Sequence, residues 1–453
     1  MNSIISNQRA FFKTHATKNI KFRLEQLNKL ETILKTNEDQ LNKAIYKDFK
    51  KSEFDNYVTE LALLYQDIKE AKRNVYRWSK VKRVGTNFLN FPAKSYIIPE
   101  PLGVCLVIGA WNYPYQLTLA PVIAAMAAGN TVIIKPSELA ANTSALMANL
   151  INENFDPRYL KVIEGGVPET TELLSNKFDK IFFTGSPQVG KIIYQAAAKQ
   201  LTPVTLELGG KSPAIVTEDC NLKMTVKRMV WAKFLNAGQT CIAPDYVLVH
   251  KSVEKELLDL LKLEIEKEQF SIENKNYTQI INERNLERLS NLIPLGKVLV
   301  GGKINTLDRV IEPTVLQGVT LDDDVMKEEI FGPILPVISY DDLDSAIEYV
   351  NENHKPLACY VFTNNNKIKK KILNQISFGG GAVNDAVMHI ANSKLPFGGV
   401  GNSGIGSYHG EAGFKSFTHY KSILDKSNLM ELSLKYYPHT QSKLSWIQRF
   451  MKF

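Results

Sequence analysis

The sequence has few cysteines and no apolar segment that approaches the length of a membrane span. Its four cysteines, Cys105, Cys220, Cys241 and Cys359, lie far apart, without metal-ligand spacing and without the density of a disulfide scaffold. The N-terminus also lacks an apolar run long enough for a signal peptide. We therefore expect a cytoplasmic protein with free thiols and no bound metal.

Acidic residues are missing from residues 71–99, which contain seven basic ones, and the whole chain has a formal net charge of +8. The last thirty residues, which end in Trp446–Phe453, are also basic and carry an apolar stripe. Such a tail is typical of weak peripheral contact with an anionic membrane, although a solvated segment or one packed on a partner subunit gives the same pattern. No nucleic-acid-binding motif is present, so we expect no nucleic-acid partner.

The length of 453 residues predicts two or three domains, and 44% hydrophobic with 23% charged residues is an ordinary globular composition. Apolar residues at three- and four-residue spacings predict two amphipathic helices, over 19–47 and 59–78. Between residues 81 and 101, glycine, asparagine and proline interrupt short extended runs. This stretch is predicted to form a hairpin that stands off the main body.

From residue 103 onward, short apolar runs alternate with helical patterns. Strands are predicted at 104–108, 131–135, 159–164 and 180–184, and helices at 115–128, at 140–153 and up to residue 199. Apolar strands that alternate with helices indicate a parallel sheet covered on both faces, as in a Rossmann-like dinucleotide-binding domain. A second α/β segment, residues 214–337, encloses Cys241 and contains predicted strands at 247–250 and 297–300.

The stretch Phe234–Pro244 places Cys241 among small and amide-bearing residues. A thiolate is the most nucleophilic side chain near neutral pH, and Ala237 and Gly238 leave space beside it for a substrate carbon. Cys241 is thus a candidate nucleophile. The alternative is a buried small hydrophobe, as most free intracellular cysteines are.

A glycine turn follows the predicted strand at 180–184. Gly185 opens it and Gly190 lies five residues later, so the spacing is Gly-x-x-x-x-Gly instead of the dinucleotide fingerprint. Ser186 and backbone amides at the following helix N-terminus can receive a pyrophosphate. A glycine needed only for the turn explains the pattern equally well.

Glu207 lies between leucines and is followed by Gly209 and Gly210. Partial desolvation would raise the pKa of this carboxyl group and suit it to proton transfer. An ion pair with Lys211 is the alternative.

Seven motifs occur in an order that resembles the aldehyde dehydrogenase superfamily over nearly the whole chain. They are Trp111–Pro114, Lys135–Glu138, Phe183–Ser186, Glu207–Lys211, Phe234–Pro244, Glu329–Pro333 and Pro396–Gly399. The Glu-Leu-Gly-Gly-Lys and Gly-Gln-x-Cys pair is the specific part of the match. The short N-terminus and the segments 238–246 and 400–410 resemble the class 3 branch, whose members are typically dimers that accept medium-chain, long-chain or aromatic aldehydes.

The resemblance implies an NAD(P)-dependent oxidation of aldehydes to carboxylic acids. Cys241 would be the nucleophile that forms a thiohemiacetal, and the side-chain amide of Asn112 with the backbone N–H of Cys241 would hold the oxyanion. Glu207 would then activate the water that hydrolyses the thioester. A CoA-acylating enzyme is the alternative, although it has little use for a water-activating base. A non-catalytic, membrane-tethering protein is a third reading, which the intact set of motifs opposes.

The resemblance also implies the residues that hold the cofactor. Lys135 and Glu329 match positions that bind the two riboses. Ser186, which lies between Gly185 and Gly190, matches a position that binds the pyrophosphate, and Phe331 matches one beside the nicotinamide ribose. Glu138 near the adenine ribose favours NAD, because an acid accepts hydrogen bonds from the 2′-OH and repels a 2′-phosphate. NADP stays open.

The predicted fold class is therefore α/β, with a Rossmann-like coenzyme domain, an α/β catalytic domain and a small β oligomerisation arm. Residues 1–80 and 102–207 are assigned to NAD(P) binding and 208–412 to catalysis. Residues 81–101 and 413–453 form the arm and the tail. Asn384, Met388 and His389 are expected to help line the aldehyde tunnel, and a homodimer is expected because no N-terminal extension is present.

Overall fold

The computed structural model describes residues 1–451. The helices are α1 (Asn2–Lys13), α2 (Ile20–Thr36), α3 (Glu38–Phe49), α4 (Glu53–Asn56), α5 (Ala62–Trp78), α6 (Gln116–Ala128), α7 (Ala141–Asn154), α8 (Val167–Leu174), α9 (Pro187–Ala198), α10 (Leu222–Phe234), α11 (Glu254–Glu268), α12 (Glu283–Ser290), α13 (Asp324–Lys327), α14 (Leu343–Glu352), α15 (Asn366–Gln375), α16 (Gly410–Ser416) and α17 (Gln441–Phe450). The strands are β1 (Lys82–Val84), β2 (Ala93–Pro101), β3 (Val104–Ile108), β4 (Thr131–Lys135), β5 (Leu160–Val162), β6 (Lys180–Thr184), β7 (Val204–Glu207), β8 (Pro213–Val216), β9 (Tyr246–His250), β10 (Val298–Val300), β11 (Ile304–Asn305), β12 (Val310–Ile311), β13 (Thr314–Leu316), β14 (Ile334–Tyr340), β15 (Ala358–Phe362), β16 (Gly380–Val383), β17 (Gly404–Ile405) and β18 (Thr418–Lys426). None of the described helices is long and apolar enough to cross a membrane.

The first sheet has six strands in the order β17-β7-β6-β3-β4-β5. The strands from β7 to β5 are parallel, and every residue of β3, β4 and β6 is buried, as their apolar sequences predict. The chain runs outward from β3 to β5 and then returns to β6 on the other side of β3. This reversal is a topological switch point, and doubly wound sheets bind ligands outside the carboxyl ends of the strands at such a point.

The second sheet has seven strands in the order β10-β13-β14-β9-β8-β15-β16, all parallel except β10 at one edge. The strands predicted at 247–250 and 297–300 are confirmed as β9 and β10. β7 ends at Glu207 and β8 begins soon afterwards at Pro213. The carboxyl ends of the strands in the first sheet therefore adjoin the amino ends of the strands in the second sheet. The segments that precede β8, β9 and β14 lie at these amino ends.

A third sheet consists of β1, β2 and β18. β1 and β2 pair antiparallel, which confirms the predicted hairpin, and β18 pairs with the whole of β2 from Thr418↔Pro101 to Lys426↔Ala93. The C-terminal part of the chain thus completes the arm. The tail begins at the tip of the arm, where the N–H of Ser427 donates to the carbonyl of Pro92 at 3.0 Å. Lys452 and Phe453 at its end lie outside the described residues.

The N-terminal helices differ from the prediction. The pattern over 19–47 is divided into α2 and α3 at Asn37, whose backbone N–H and side-chain amide both bind the carbonyl of Ile33 and end α2. The second predicted helix starts with a π-helical turn, Tyr57–Leu61, before α5. Helix α1 was not predicted. It packs on the first sheet, where the Gln8 amide donates to the carbonyl of Val132 at 3.0 Å.

β17 returns from the C-terminal half to the first sheet, where Gly404 pairs antiparallel with Glu207. The catalytic segment predicted as 208–412 thus contributes one strand beside the coenzyme-type sheet. The predicted domain boundaries stay a prediction, since sheet membership alone does not define them.

Candidate active site

The loop before Cys241 has an unusual backbone. After α10 ends at Phe234, Asn236 (φ 55°), Ala237 (φ 51°) and Gly238 (φ 70°) are consecutively left-handed. At Gly238 a Cβ would lie 2.2 Å from the carbonyl oxygen of Gly332, so only glycine allows this approach. Left-handed conformations are costly for residues with a Cβ and persist where surrounding contacts fix them, often at functional sites.

The side chain of Gln239 holds much of this loop in place. Its side-chain nitrogen donates to the carbonyls of Asn236 (3.1 Å) and Gln279 (3.0 Å), and its side-chain oxygen accepts from the N–H of Ile281 (3.0 Å). The sequence reasoning used Gln239 only as part of a motif and did not identify this role. A buried amide beside a candidate nucleophile was the available signal.

The loop after β3 is bound to the Cys241 loop by three hydrogen bonds. The Asn112 amide donates to the carbonyl of Gln239 (3.0 Å), and the Asn236 amide donates to the carbonyl of Asn112 (3.0 Å). The hydroxyls of Tyr113 and Thr240 lie 2.6 Å apart. The structure therefore brings Asn112 and Cys241 together from segments far apart in the chain.

Glu207 ends β7 and is buried, with only 3% of its surface exposed. Neither carboxylate oxygen has a hydrogen-bond partner within residues 1–451, and burial raises the pKa of this group well above its ordinary value. The alternative ion pair with Lys211 is wrong, because the Lys211 ammonium binds the Asp245 carboxylate. The predicted desolvation is confirmed.

Cys241 is partly buried. Burial, followed by the carboxylates of Glu329 and Glu207, raises the pKa of its thiol. The charges of both acids therefore act on the Cys241 sulfur.

The segment Glu329–Pro333 is held against the cysteine loop by buried charges. Asp245 accepts from the N–H of Ile330 (2.9 Å), and Lys211 donates to the carbonyls of Val325 (3.0 Å) and Glu328 (2.9 Å). Burial and then Asp245 raise the pKa of Glu329 to about 8. A Cβ at Gly209 would lie 1.9 Å from the Glu329 carboxylate, which explains the glycine.

Phe331 (φ 50°) turns its ring toward Trp111, with centroids 5.4 Å apart and planes at 75°. This edge-to-face contact joins the loop after β3 to the segment before β14. Together with the hydrogen bonds of Asn112, it closes the site around Cys241 from two sides.

The candidate cofactor residues of the first sheet lie at the carboxyl ends of its strands. Lys135 ends β4 and donates to the carbonyl of Pro136 (2.6 Å) and to Glu138 (3.2 Å). Ser186 caps α9 by accepting from the N–H of Val189 (3.4 Å). Glycines 185 and 190 allow close packing, since a Cβ would lie 2.5 Å from Phe183 and 2.6 Å from Leu208, respectively.

These residues fit a dinucleotide. The N-terminus of α9 follows β6 at the switch point, where the helix dipole favours a pyrophosphate. The Lys135 ammonium and the half-exposed Glu138 carboxylate offer donors and acceptors for ribose hydroxyls at the neighbouring strand end. The spacing of Gly185 and Gly190 stays different from the usual fingerprint.

Sequence reasoning missed Tyr408. Its ring is buried, lies 4.4 Å from His409 and 5.1 Å from Phe182 between centroids, and the charges of Glu207 and Cys241 both act on its hydroxyl. Its position in the glycine-rich run 398–410 was the available signal. Asn384, in contrast, uses its amide to bind the backbone of Thr363 in both directions, at 2.9 Å each. No group of three or more metal-ligating side chains lies within the described chain.

The site combines a partly buried cysteine, an asparagine amide and a buried glutamate that has no hydrogen-bond partner within residues 1–451, beside a dinucleotide-type sheet, and these groups suit an oxidoreductase that acts on a carbonyl carbon. The chain belongs to the Aldehyde dehydrogenase family, whose sequence profile matches residues 1–423. It is an oxidoreductase that acts on aldehydes and depends on NAD(P).

Three curated relatives show the branch. The chain is 46% identical over 450 residues to 4,4'-diaponeurosporen-aldehyde dehydrogenase of Staphylococcus aureus, with 98% of each chain covered. It is 45% identical to Aldehyde dehydrogenase family 3 member A2 of Pongo abelii, covering 98% of this chain and 92% of that one. It is 44% identical to Aldehyde dehydrogenase, dimeric NADP-preferring, of Mus musculus, covering 98% and 99%. These similarities confirm the class 3 resemblance.

A solved structure agrees with the fold. The substrate-bound state of Staphylococcus aureus AldH superposes with a TM-score of 0.97 at 45% identity, covering 100% of this chain and 99% of that one. The predicted α/β fold class is thereby confirmed.

Proposed function

We propose that this enzyme oxidises medium-chain, long-chain or aromatic aldehydes to carboxylic acids through a covalent intermediate on Cys241. The observation that carries the proposal is the joining of the Asn112 loop to the Cys241 loop by hydrogen bonds, next to the Glu207 carboxylate, which acts on Cys241 and has no hydrogen-bond partner within residues 1–451.

In the first step the Cys241 thiol loses its proton to water, and the resulting thiolate attacks the aldehyde carbon, whose carbonyl oxygen becomes the oxyanion of a thiohemiacetal. An amide nitrogen has two protons, and Asn112 uses one on the carbonyl of Gln239, so the other is available for the oxyanion. The backbone N–H of Cys241 is the second donor. Each preorganised donor contributes on the order of 3 kcal/mol to the transition state.

NAD(P)+, when bound, would supply the hydride acceptor, and loss of hydride from the thiohemiacetal carbon would leave an acyl thioester on Cys241. Glu207 then takes a proton from the water that attacks this thioester. Its raised pKa makes it a stronger base than an exposed carboxylate. The thiol of Cys241 is the leaving group, and the carboxylic acid is released.

Lys135, Glu138, Ser186, Glu329 and Phe331 would hold the cofactor. Support for NAD comes from Glu138, whose carboxylate would meet a ribose 2′-OH favourably and a 2′-phosphate unfavourably. The adjacent Lys135 ammonium moderates this repulsion, and the mouse relative is named NADP-preferring. We propose that NAD is used best and NADP with lower efficiency.

Apolar aldehydes are supported by the aromatic side chains around the site. Tyr113 and Tyr408 are buried near Cys241, and Trp111 packs on Phe331. The Staphylococcus aureus relative is named for 4,4'-diaponeurosporen-aldehyde. A long apolar aldehyde needs an apolar channel, and we propose that this enzyme has one.

We also propose a homodimer that uses the β1-β2-β18 arm. The arm exposes Val81, Val84 and Leu424, and β16 is an open outer strand of the second sheet. Open strand edges and exposed apolar side chains favour pairing with a second chain. The mouse relative is named dimeric. Light scattering after size exclusion would test this, and a monomer at micromolar concentration would contradict it.

For the tail we propose weak contact with anionic membranes by a protein located in the cytoplasm. Leu444 and Met451 are exposed on or beside α17, together with Arg449, and Lys443 is half-buried. The arm tip from which the tail leaves also exposes Leu89, so apolar groups lie beside basic ones. Co-sedimentation with anionic and neutral liposomes, for the full chain and for one ending at Lys426, would test the proposal. Equal sedimentation of both chains would contradict it.

The experiment that tests the function is absorbance of the reduced nicotinamide with NAD or NADP and aldehydes from acetaldehyde through decanal to benzaldehyde. We expect a signal that increases with chain length. Product analysis with and without CoA separates hydrolysis from acyl transfer, and acid formed without CoA would exclude the CoA-acylating alternative.

A further inference from the structure

A buried ion pair lies behind the loop that carries Asn112. Lys51 Nζ and Glu60 Oε1 are 2.7 Å apart, and both side chains are fully shielded from solvent. Lys51 follows the end of α3, and Glu60 lies in the π-helical turn Tyr57–Leu61. A buried pair is weak evidence for stability, because desolvation offsets the attraction, and π-helical turns are frequent at functional sites.

The second oxygen of Glu60 fixes the start of α6. Oε2 accepts from the backbone N–H groups of Tyr115 (2.7 Å) and Gln116 (3.2 Å), and this helix has no cap from its own N-cap side chain. A carboxylate at a helix N-terminus satisfies free donors and interacts favourably with the helix dipole. Glu60 therefore determines where the chain leaves the Asn112 loop and enters the helix.

Lys51 contacts the same loop through Tyr113. Its ammonium lies 4.0 Å from the ring centroid of Tyr113, within the range of a cation–π contact. The hydroxyl of that ring lies 2.6 Å from that of Thr240, the neighbour of Cys241. The ion pair is thus linked to the nucleophile's loop through one side chain.

We propose that Lys51 and Glu60 are positioning residues that set the place of the Asn112 amide relative to Cys241 and thereby the rate of acylation. This inference rests on the covalent function proposed above. The Asn112 loop is held on one side by Gln239 and Asn236 and on the other by the ion pair. A misplacement of about 1 Å by a distant change can cost about a hundredfold in rate.

The test uses the double variant Lys51→Met with Glu60→Gln in the full chain. Removing both charges avoids a single unpaired buried charge, and glutamine keeps an oxygen for the backbone donors. We expect the rate constant of the first NADH turnover to fall about tenfold or more. The Kd of NAD, the Tm and the rate of Cys241 alkylation by iodoacetamide should stay at wild-type values.

The matched control is Arg9→Met with Asp179→Asn. Asp179 also binds a basic side chain, Arg9 at 2.8 Å, and a backbone N–H, that of Val104 at 2.8 Å, but at the opposite end of β3. This control should leave the first turnover unchanged. An equal loss in both double variants would overturn the inference.

A coupling experiment separates positioning from general damage. In an Asn112→Ala background, the Lys51 and Glu60 substitutions should lower the first turnover by less than about twofold, because the group they position is gone. An undiminished effect there, or a wild-type rate in the double variant, would overturn the inference. Absence of NADH formation with every aldehyde in the wild type would instead contradict the proposed function.

Glu60→Asp is the second variant if the double variant unfolds early. It keeps the charge and withdraws the carboxylate by one methylene, and we expect the same loss of first turnover below its Tm. A wild-type first turnover in Glu60→Asp with weakened stability would assign the pair a structural role only.

Discussion

The loop that carries Cys241 and the strand ends that carry the candidate cofactor residues hold their side chains in different ways. On the cysteine side, Gln239 and Asn236 bind backbone groups of neighbouring loops and leave little freedom to Cys241. On the cofactor side, Glu138 is half-exposed and binds Lys135, and the Ser186 side chain makes a long contact with its own helix.

This difference teaches how the enzyme divides its tasks. The side that performs chemistry is preorganised by buried polar networks, since transition-state stabilisation requires fixed donors. The side that receives a cofactor presents groups whose partners can be replaced by a ligand. Substitutions on the cysteine side should therefore change the chemical steps, and those on the cofactor side should change binding.

The largest effect is expected from Cys241→Ser. A serine hydroxyl is much less acidic than a thiol, so the same surroundings ionise it far less and it is a much poorer nucleophile. Aldehyde oxidation should fall on the order of 10⁴-fold or more. Stopped-flow NADH absorbance measures this, with the Kd of NAD as the control that should not change. Undiminished turnover would contradict the whole assignment.

The next largest effect is expected from Glu207→Gln, which separates acylation from deacylation. Steady turnover should fall about 10²- to 10⁴-fold, while a burst of about one NADH per site remains, because acylation does not need this base. In the wild type, the acid limb of turnover should lie well above the ordinary glutamate pKa, since Glu207 must be ionised to act. Loss of the burst as well would show that Glu207 acts before deacylation.

A moderate effect is expected from Glu138→Gln on the cofactor side. Loss of the carboxylate removes repulsion of a 2′-phosphate, so the ratio of kcat/KM for NADP to that for NAD should rise about tenfold, equivalent to ~1.4 kcal/mol. The exposed Glu153 on α7 provides a control, as Glu153→Gln should leave the ratio unchanged. A change in kcat without a change in the KM of either cofactor would contradict the expectation that substitutions on the cofactor side change binding.

The last prediction concerns stability in place of activity, through the contribution of Glu329. Its pKa is raised in the folded protein from 4.5 to about 8, so the folded state retains a proton that the unfolded state loses. The stability that protonated Glu329 contributes is fully present below the pKa that this group has in the unfolded chain. It is lost as the pH rises through the pKa of Glu329 in the folded protein. The Tm of Glu329→Gln relative to wild type should thus rise between about pH 5 and about pH 9. A constant difference in Tm over this range would contradict the assignment of the raised pKa.

The sequence was sufficient for most of the architecture. Strands 104–108, 131–135 and 180–184 have the predicted bounds, because largely apolar runs of this length between helices permit few alternatives. Helix α1 and the division at Asn37 were not predicted, since they depend on contacts with β4 and on one side-chain cap.

The site was less accessible to sequence reasoning. The motifs identified Cys241, Asn112 and Glu207 as candidates, but the roles of Gln239 and Lys51 depend on partners distant in the chain. The same limit explains the wrong pairing considered for Lys211, whose nearest acid in sequence is not its partner in space. Periodicity predicts which face is buried and does not predict which polar groups meet.

The most direct measurement of the central claim is mass spectrometry of Glu207→Gln enzyme after rapid mixing with NAD and decanal. The account predicts an acyl adduct on the peptide that contains Cys241, in an amount equal to the NADH formed, and no adduct in Cys241→Ser. NADH formed without an adduct, or an adduct on Cys220, would contradict a covalent mechanism at Cys241.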